Sequence, residues 1–359
     1  MKLYNIFFTI LLLTTIGLTA SYAGNPDRQG EAGAGELLLN PWAKSAGLHT
    51  LNTSSIRGVE AMRLNIAGLS RIEGKEVVFG STRLFSGSDV NVNAIGFANR
   101  VGSGGAFGIS LMSMDFGDIP VTTTDDPEGN GGIFSPSFFN IGLGYSYTYD
   151  NKISVGLLVR GISESTPDVS AFGFAIDAGI QYVTGEQDNF RLGISLRNVG
   201  SSMRFAGEGL ATRFTADQTG VVLTGSQRAE EFQLPSVLNI GLSYDFYILD
   251  ATKVEGNNAK QNLIVRALGN FTSNAFSRDD IGGGVEVIFD DKFTLRGAYR
   301  QPIGDVGAGA EDIYSGFAGG ASVQLPISKG GSSKIGLDYA YRSTRTFRGT
   351  HNFSLRLLF

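Results

Sequence analysis

The chain has no cysteine among its 359 residues. That excludes disulfide staples, a thiolate metal site and a cysteine nucleophile. Histidine occurs twice, at His49 and His351, and tryptophan once, at Trp42. No HExxH, CxxC or GxxxxGK spacing is present, and no nucleophile elbow. The sequence therefore predicts no catalytic residue, no metal and no cofactor. Long apolar runs are missing too. The longest, residues 6–18, falls short of the roughly 20 residues a membrane-spanning helix needs. Basic runs are absent and the net charge is −5, which gives no footprint for nucleic acid.

That one apolar run follows Met1-Lys2 and precedes Ser21-Tyr22-Ala23. A short positive region, a short apolar region and small residues at the cleavage positions read as a secretory signal peptide over residues 1–23. An exported chain with no spanning helix can still cross a membrane as a closed barrel, which pairs every backbone group.

Glycine is abundant, at 50 residues, and phenylalanine is the commonest aromatic, at 25. The glycines show no three-residue period, which excludes collagen. The last nine residues, His351 to Phe359, place Phe353, Leu355, Leu357 and Phe359 on one strand face and Asn352, Ser354 and Arg356 on the other. The same alternation runs through Phe139–Tyr149, Phe190–Arg197, Leu238–Ile248, Phe293–Arg300 and Ile335–Arg342. Such runs suit the roughly 9 to 11 tilted residues that cross a bilayer as a strand.

About fourteen segments are expected, starting near Glu76, Asp89, Gly105, Phe138, Lys152, Ser170, Asn189, Ser236, Lys260, Asp280, Lys292, Tyr314, Ser333 and Gly349. In Asp89–Arg100 the apolar phase slips between Val92 and Ile95, which predicts a bulge there. Links after even-numbered strands are short or nearly so, Leu249 to Ala259 being the longest of them, and two links after odd-numbered strands, Phe116–Ser137 and Gly200–Pro235, are long. That alternation of short periplasmic turns with long external loops fits an all-β, fourteen-stranded antiparallel transmembrane barrel over residues 75–359. A soluble sandwich would not need strands and loops of these lengths.

Inward positions carry Arg160, Asp177, Arg191, Arg197, Asp245, Arg266, Glu286, Arg296, Arg300, Asp338, Arg342 and Arg356. Both signs occur, so mutual pairing across the lumen is expected. Residues 24–74 precede the first strand. A fourteen-stranded lumen is too wide for its own side chains to fill, so this segment is expected to fold inward as a plug around Trp42. Ile56, Val59 and Leu64 sit near helical spacing there.

Here the chain resembles a family. Asn65-Ile66-Ala67-Gly68-Leu69 is similar to the Asn-Pro-Ala signature in the plug of FadL-type barrels, with Ile66 in the proline position. Asn40-Pro41-Trp42-Ala43-Lys44-Ser45-Ala46-Gly47, Arg57-Gly58-Val59-Glu60-Ala61, Leu234-Pro235 and the aromatic last strand resemble the PorV/PorQ family of type IX secretion, itself FadL-like. The resemblance implies an outer-membrane barrel that receives secreted substrates through their C-terminal domains. It would work with the translocon barrel and the surface attachment complex.

Its plug motif would comprise Trp42, Asn65, Ile66, Ala67 and Gly68. Apolar loop residues, Phe116, Ile133, Phe134, Phe205, Phe214 and Phe232, would form either a cover over the mouth or a partner-docking surface. The other readings are a FadL-like channel for hydrophobic small molecules and a structural subunit that stabilises another barrel.

Overall fold

The computed structural model describes residues 28, 30–129, 131–215, 221–249, 263–303, 313–327, 333–345 and 347–359. Residues 1–23, read above as a signal peptide, lie outside the described residues.

Fourteen strands close into an antiparallel barrel. They are β1 (Lys75–Arg83), β2 (Asn91–Val101), β3 (Gly105–Asp115), β4 (Ser137–Tyr149), β5 (Ile153–Ser165), β6 (Ser170–Thr184) and β7 (Phe190–Gly200). The rest are β8 (Val237–Leu249), β9 (Leu263–Asn274), β10 (Asp280–Phe289), β11 (Phe293–Pro302), β12 (Gly316–Pro326), β13 (Lys334–Arg342) and β14 (Thr350–Leu358). Each expected start lies within three residues of the observed one. β14 pairs with β1 from Glu76↔Leu358 to Arg83↔His351, so the wall has no free edge. The Lys75 and Phe359 backbones exchange two hydrogen bonds, of 3.0 and 2.9 Å, at the seam.

Two of the short turns have a clear local cause. Asp150 and Asn151 both have positive φ, 46° and 58°, as do Asp290 and Asp291, at 53° and 52°. Two consecutive left-handed residues make the tight turn whose twist matches a hairpin, and Asp and Asn tolerate that region best after glycine. These turns share one end of the barrel with Lys75 and Leu358. That end is periplasmic by the usual loop-length asymmetry, and the opposite end carries the long loops.

Side chains alternate as a membrane wall demands. In β6, Phe172, Phe174 and Ile176 are exposed on the outside, while Ala171 and Ala175 are buried within. The outward belt of aromatic and aliphatic side chains faces lipid, and the chain is a multi-pass β-barrel outer-membrane protein.

The bulge expected in β2 is not there. Register with β1 and β3 is unbroken from Asn91 to Asn99. Val92 and Ala94 instead point inward, where they join an apolar cluster with Trp42, Val59 and Met62. The apolar phase slipped because the inner face at this point is itself apolar. Register shifts occur elsewhere, between Ile176 and Ala178 and between Tyr247 and Leu249.

Residues 30–74 occupy the lumen as the plug. They fold as short turns of helix, Gly35–Leu38, Ala43–Ala46, Gly58–Glu60, Ala61–Leu64 and Ile66–Arg71, joined by buried extended chain. The helix read near Ile56–Leu64 is the pair of turns from Gly58 to Leu64.

The inner wall is cut to receive this chain. Gly144, Gly156 and Gly179, on β4, β5 and β6, surround residues 65–67: a Cβ on them would stand 2.7 Å from Ile66 Cδ1, 2.9 Å from the Ile66 carbonyl and 2.1 Å from Asn65 Oδ1. Gly80 and Gly96 leave the same room for Trp42 and Val59, and Gly193 for Thr53 and Ser54. Inward glycine is how the wall admits plug backbone at van der Waals distance.

Gly179→Val therefore overpacks the plug by about 1–3 kcal/mol. Trp42, the single tryptophan, reports it: its fluorescence unfolding midpoint drops in Gly179→Val. In Gly283→Ala, where the new Cβ faces outward with only the Leu268 carbonyl at 3.4 Å, the midpoint stays put. Equal midpoints in all three proteins would refute the close packing.

Candidate functional site

The plug motif assembles as one unit. Asn65, fully buried, donates from Nδ2 to the Thr53 carbonyl at 3.0 Å and to the Ile180 carbonyl at 3.1 Å. Its Oδ1 accepts from the Ala67 backbone N–H at 3.2 Å. One amide thus caps the following turn, ties two plug segments together and fastens both to β6. The Ala67 carbonyl accepts from Ser146 Oγ on β4 at 2.9 Å. Gly68 packs so tightly that a Cβ would lie 2.2 Å from the Ile56 carbonyl. Ile66 joins the apolar cluster of Trp42, Val59, Met62 and Leu69. Trp42 belongs to the same cluster but sits on the β1–β2 side, with its N–H held by Asn40 Oδ1 at 3.0 Å.

The opposite wall is polar and its charges pair. A ladder crosses eight consecutive strands, one residue from each: Arg191, Asp245, Arg266, Glu286, Arg296, Ser322, Asp338 and Arg356. Arg191 and Arg266 both hold Asp245 at 2.6 Å, Arg266 reaches Glu286 at 3.0 Å, and Arg296 meets the same carboxylate at 3.2 Å. Arg296 donates to Ser322 at 2.8 Å, Ser322 to Asp338, and Arg356 closes the run on Asp338 at 2.6 Å. Register explains much of it: Asp245↔Arg266, Arg266↔Glu286 and Glu286↔Arg296 are directly opposed. Elsewhere Arg160 pairs with Asp177 at 2.8 Å and Arg300 with Asp280 at 2.5 Å. Arg197 donates to the Leu37 carbonyl at 3.0 Å. Arg342 lies over the Tyr314 ring at 4.4 Å.

Between plug and ladder lies a polar cavity of about 400 Å³ at the periplasmic end. Lys44 and Arg57, both on the plug, line it. Sequence reading passed over these two, because only the fold shows that they face a cavity.

The plug also buries titratable groups. Burial pushes the Glu60 carboxyl up to about 7, against the pull of the Lys44 ammonium. Burial, then the Arg342 and Arg300 charges, pull the His49 imidazole down to about 3.

The long loops divide into a part folded over the mouth and a part left exposed. Phe205 and Phe232 stack with centroids 5.6 Å apart and fold back over the mouth, packing against a cluster that contains Ala34, Leu37, Met203 and Leu234. Phe116 sits edge-on to Phe138 at 4.8 Å. Phe134 is half-buried and Ile133 exposed. Phe214 lies on a ribbon, Ala211–Thr215 with Val222–Ser226, whose apolar side chains stand in the open.

Outside the barrel, across β12–β14 and β1–β4, the wall holds an apolar hollow of about 980 Å³. Phe79, Ile95, Leu111, Phe139, Leu337 and Phe353 are among its walls. Small outward residues, Ser81, Ser113 and Ala321, leave its floor low.

Two solved structures share this fold. One is a deltaS2S3 mutant of TodX, a monoaromatic hydrocarbon channel, with TM-score 0.51 and 13% identity; the match covers 88% of this chain and 97% of that one. The other is a FadL homologue of Pseudomonas aeruginosa, with TM-score 0.50 and 11% identity, covering 88% and 97%. No protein-family model matches the chain, and no curated protein does.

Glu60 and His49 oppose each other with pH. Glu60 rises from 4.5 to about 7, so its contribution to docking is full below 4.5 and lost as pH rises through 7. His49 falls from 6.5 to about 3, so its contribution is full above 6.5 and lost as pH falls toward 3. Relative to wild type, Glu60→Gln should make plug stability climb between pH 5 and 6.5, and His49→Gln should make it fall between pH 5 and 7. Each slope change is at most about 1.4 kcal/mol per pH unit. Denaturant titration of Trp42 fluorescence at several pH values reads both, and parallel curves for all three proteins would rule out the assigned shifts.

Proposed function

We propose that this protein is a plugged outer-membrane barrel that handles hydrophobic small molecules, as a FadL-like channel. The observation that carries the reading is the continuity of apolar surface across β1–β3. The hollow lies on the lipid side of these strands, and the apolar cluster of Trp42, Val59 and Met62 lies directly behind them. Inward Gly80 and Gly96 thin the wall to bare backbone there. Around β7–β14 a solute crossing the wall would meet the charge ladder instead. A hydrophobic solute gathered from the lipid by the hollow stays in apolar surroundings only on this side. The plug fills the lumen in this conformation, so passage requires the Trp42 end to shift. The fold shared with a monoaromatic hydrocarbon channel supports the same reading.

A second reading is favoured by a different observation. The ribbon Ala211–Ser226 presents Phe214, Val222 and Leu223 to solvent on the external side. An exposed apolar patch of this kind suits docking of a folded protein domain. With the PorV/PorQ-like segments at Asn40–Gly47 and Arg57–Ala61, it supports an adaptor of type IX secretion. There the loops would grip the C-terminal domains of secreted substrates while the plug keeps the membrane sealed.

One deletion strain separates the two. The channel reading predicts that uptake of radiolabelled toluene falls and that export is unchanged. It also predicts that Trp42→Ala fails to restore wild-type uptake kinetics. If toluene uptake is unaffected while secreted proteins accumulate in the periplasm or emerge unattached, the adaptor reading replaces it. No change in either assay discards both.

A further inference from the structure

We infer that the periplasmic cavity between plug and ladder is a binding site for a phosphate-type oxyanion. Nine basic side chains and four acidic ones line it among the described residues. The count alone does not decide the matter, because Arg266, Arg296 and Arg356 are already paired within the ladder. Two of the four acidic groups, however, are engaged as well, and the other two, Glu73 and Asp291, are exposed and outnumbered by the cations outside the ladder. Glu286 is shared between Arg266 and Arg296, and Glu76 accepts the Val59 N–H at 2.8 Å.

What is left over is positive. Neither Arg57 nor Lys44 has a hydrogen bond or ion pair with any described residue, although both stand in the enclosed lumen. Arg57 is open to the cavity while the residues on both sides of it are buried. The charges that bear on it most strongly are themselves cationic: Arg191, Arg266 and Arg71. Lys44 feels Arg356 most strongly among the charges around it, then the Glu286 and Glu60 carboxylates, none of which it bonds, and then Arg296.

Two unpaired cations on the plug, aimed into a partly desolvated chamber already ringed with cations, are poorly placed unless an anion joins them. A guanidinium fork with an ammonium beside it matches the several oxygens and multiple charge of a phosphate group. The chamber is larger than one phosphate, so it accommodates an attached organic group or bound water. Its mouth lies among the periplasmic turns, near Arg71 and Lys292. The anion therefore arrives either free from the periplasm or as the headgroup of an inner-leaflet lipid. The inference is independent of whether the barrel is a channel or an adaptor.

The test uses the full-length mature protein. In neutral detergent at low ionic strength, calorimetry with inorganic phosphate and pyrophosphate should show saturable binding that weakens at least about tenfold in Arg57→Gln and in Lys44→Gln. Arg57→Lys keeps the charge but loses the fork, and should fall between. Trp42 emission verifies that the plug remains docked in each variant. Nanodiscs of phosphatidylcholine with and without phosphatidylglycerol distinguish the sources. If phosphatidylglycerol blocks pyrophosphate binding, the headgroup is the occupant; if it does not, the ligand is a soluble phosphate. Absence of saturable binding by wild type in detergent and in phosphatidylcholine discs overturns the inference. So does equal affinity in wild type and both charge-removing variants.

Discussion

The rest of the structure depends on one steric constraint. A fourteen-stranded barrel encloses more space than its inward side chains can fill, and an unfilled lumen would leave an open hole in the membrane. This chain closes the hole with its own N-terminal segment, and the segment reaches the wall only because the wall gives up side chains. Gly144, Gly156 and Gly179 admit the backbone around Asn65–Ala67, while Gly80, Gly96 and Gly193 admit Trp42, Val59 and Ser54. This contact accounts for these six of the chain's 50 glycines. Within it Asn65 has a role no apolar residue could fill, since it satisfies carbonyls of the plug and of β6 that burial would otherwise orphan.

From this contact follows the asymmetry of the lumen. The plug lies tight and dry against β1–β6. It packs against the far wall too, at Gly193, Ser243 and Gly282, but toward the periplasmic end that wall also meets polar space. Charges facing polar space must still be compensated, and the ladder does this by alternating sign from strand to strand. Each ladder carboxylate touches two cations, except Asp338, which takes Arg356 and the Ser322 hydroxyl. Sharing of this kind offsets desolvation better than isolated pairs would. The charge that the ladder leaves over is contributed by the plug, at Lys44 and Arg57.

How much of this was legible follows from period and chemistry. Strand positions were readable because side-chain alternation is a local property, and they fell within three residues of the expected starts. Val92 misled because reading a bulge from apolar phase assumes a polar interior. The plug supplies an apolar one, which no local pattern reveals. Inward charges could be expected to pair, but the partners were not readable. Arg191–Asp245 and Arg356–Asp338 are diagonal rather than directly opposed, and a diagonal needs the register. The loop from Gly200 to Pro235 offered two roles, and the structure covers one part of it and exposes the other. Phe205 and Phe232 are drawn down by Leu37 and Leu234, while Phe214 on its ribbon has no such neighbour. Gly179 and Gly193 were visible as inward glycines, but the plug residues they face, Asn65 and Ser54, lie far away in sequence. The fold likeness to FadL-type barrels was foreshadowed by Asn65-Ile66-Ala67. The finer PorV/PorQ resemblance found no matching family model.

The central claim is that residues 30–74 stand inside the barrel, fixed against its wall. Ser54 Oγ on the plug lies 3.0 Å from Ser243 Oγ on β8, and the native chain has no cysteine to confuse the readout. The most direct measurement is therefore oxidation of the Ser54→Cys/Ser243→Cys double variant in intact cells, read as mobility on a non-reducing gel after denaturation. The account predicts near-complete intramolecular cross-linking without added unfolding agent, and none in either single variant. Two free thiols that take up a membrane-impermeant label at the same rate as an exposed control would contradict it, and would place the segment outside the lumen.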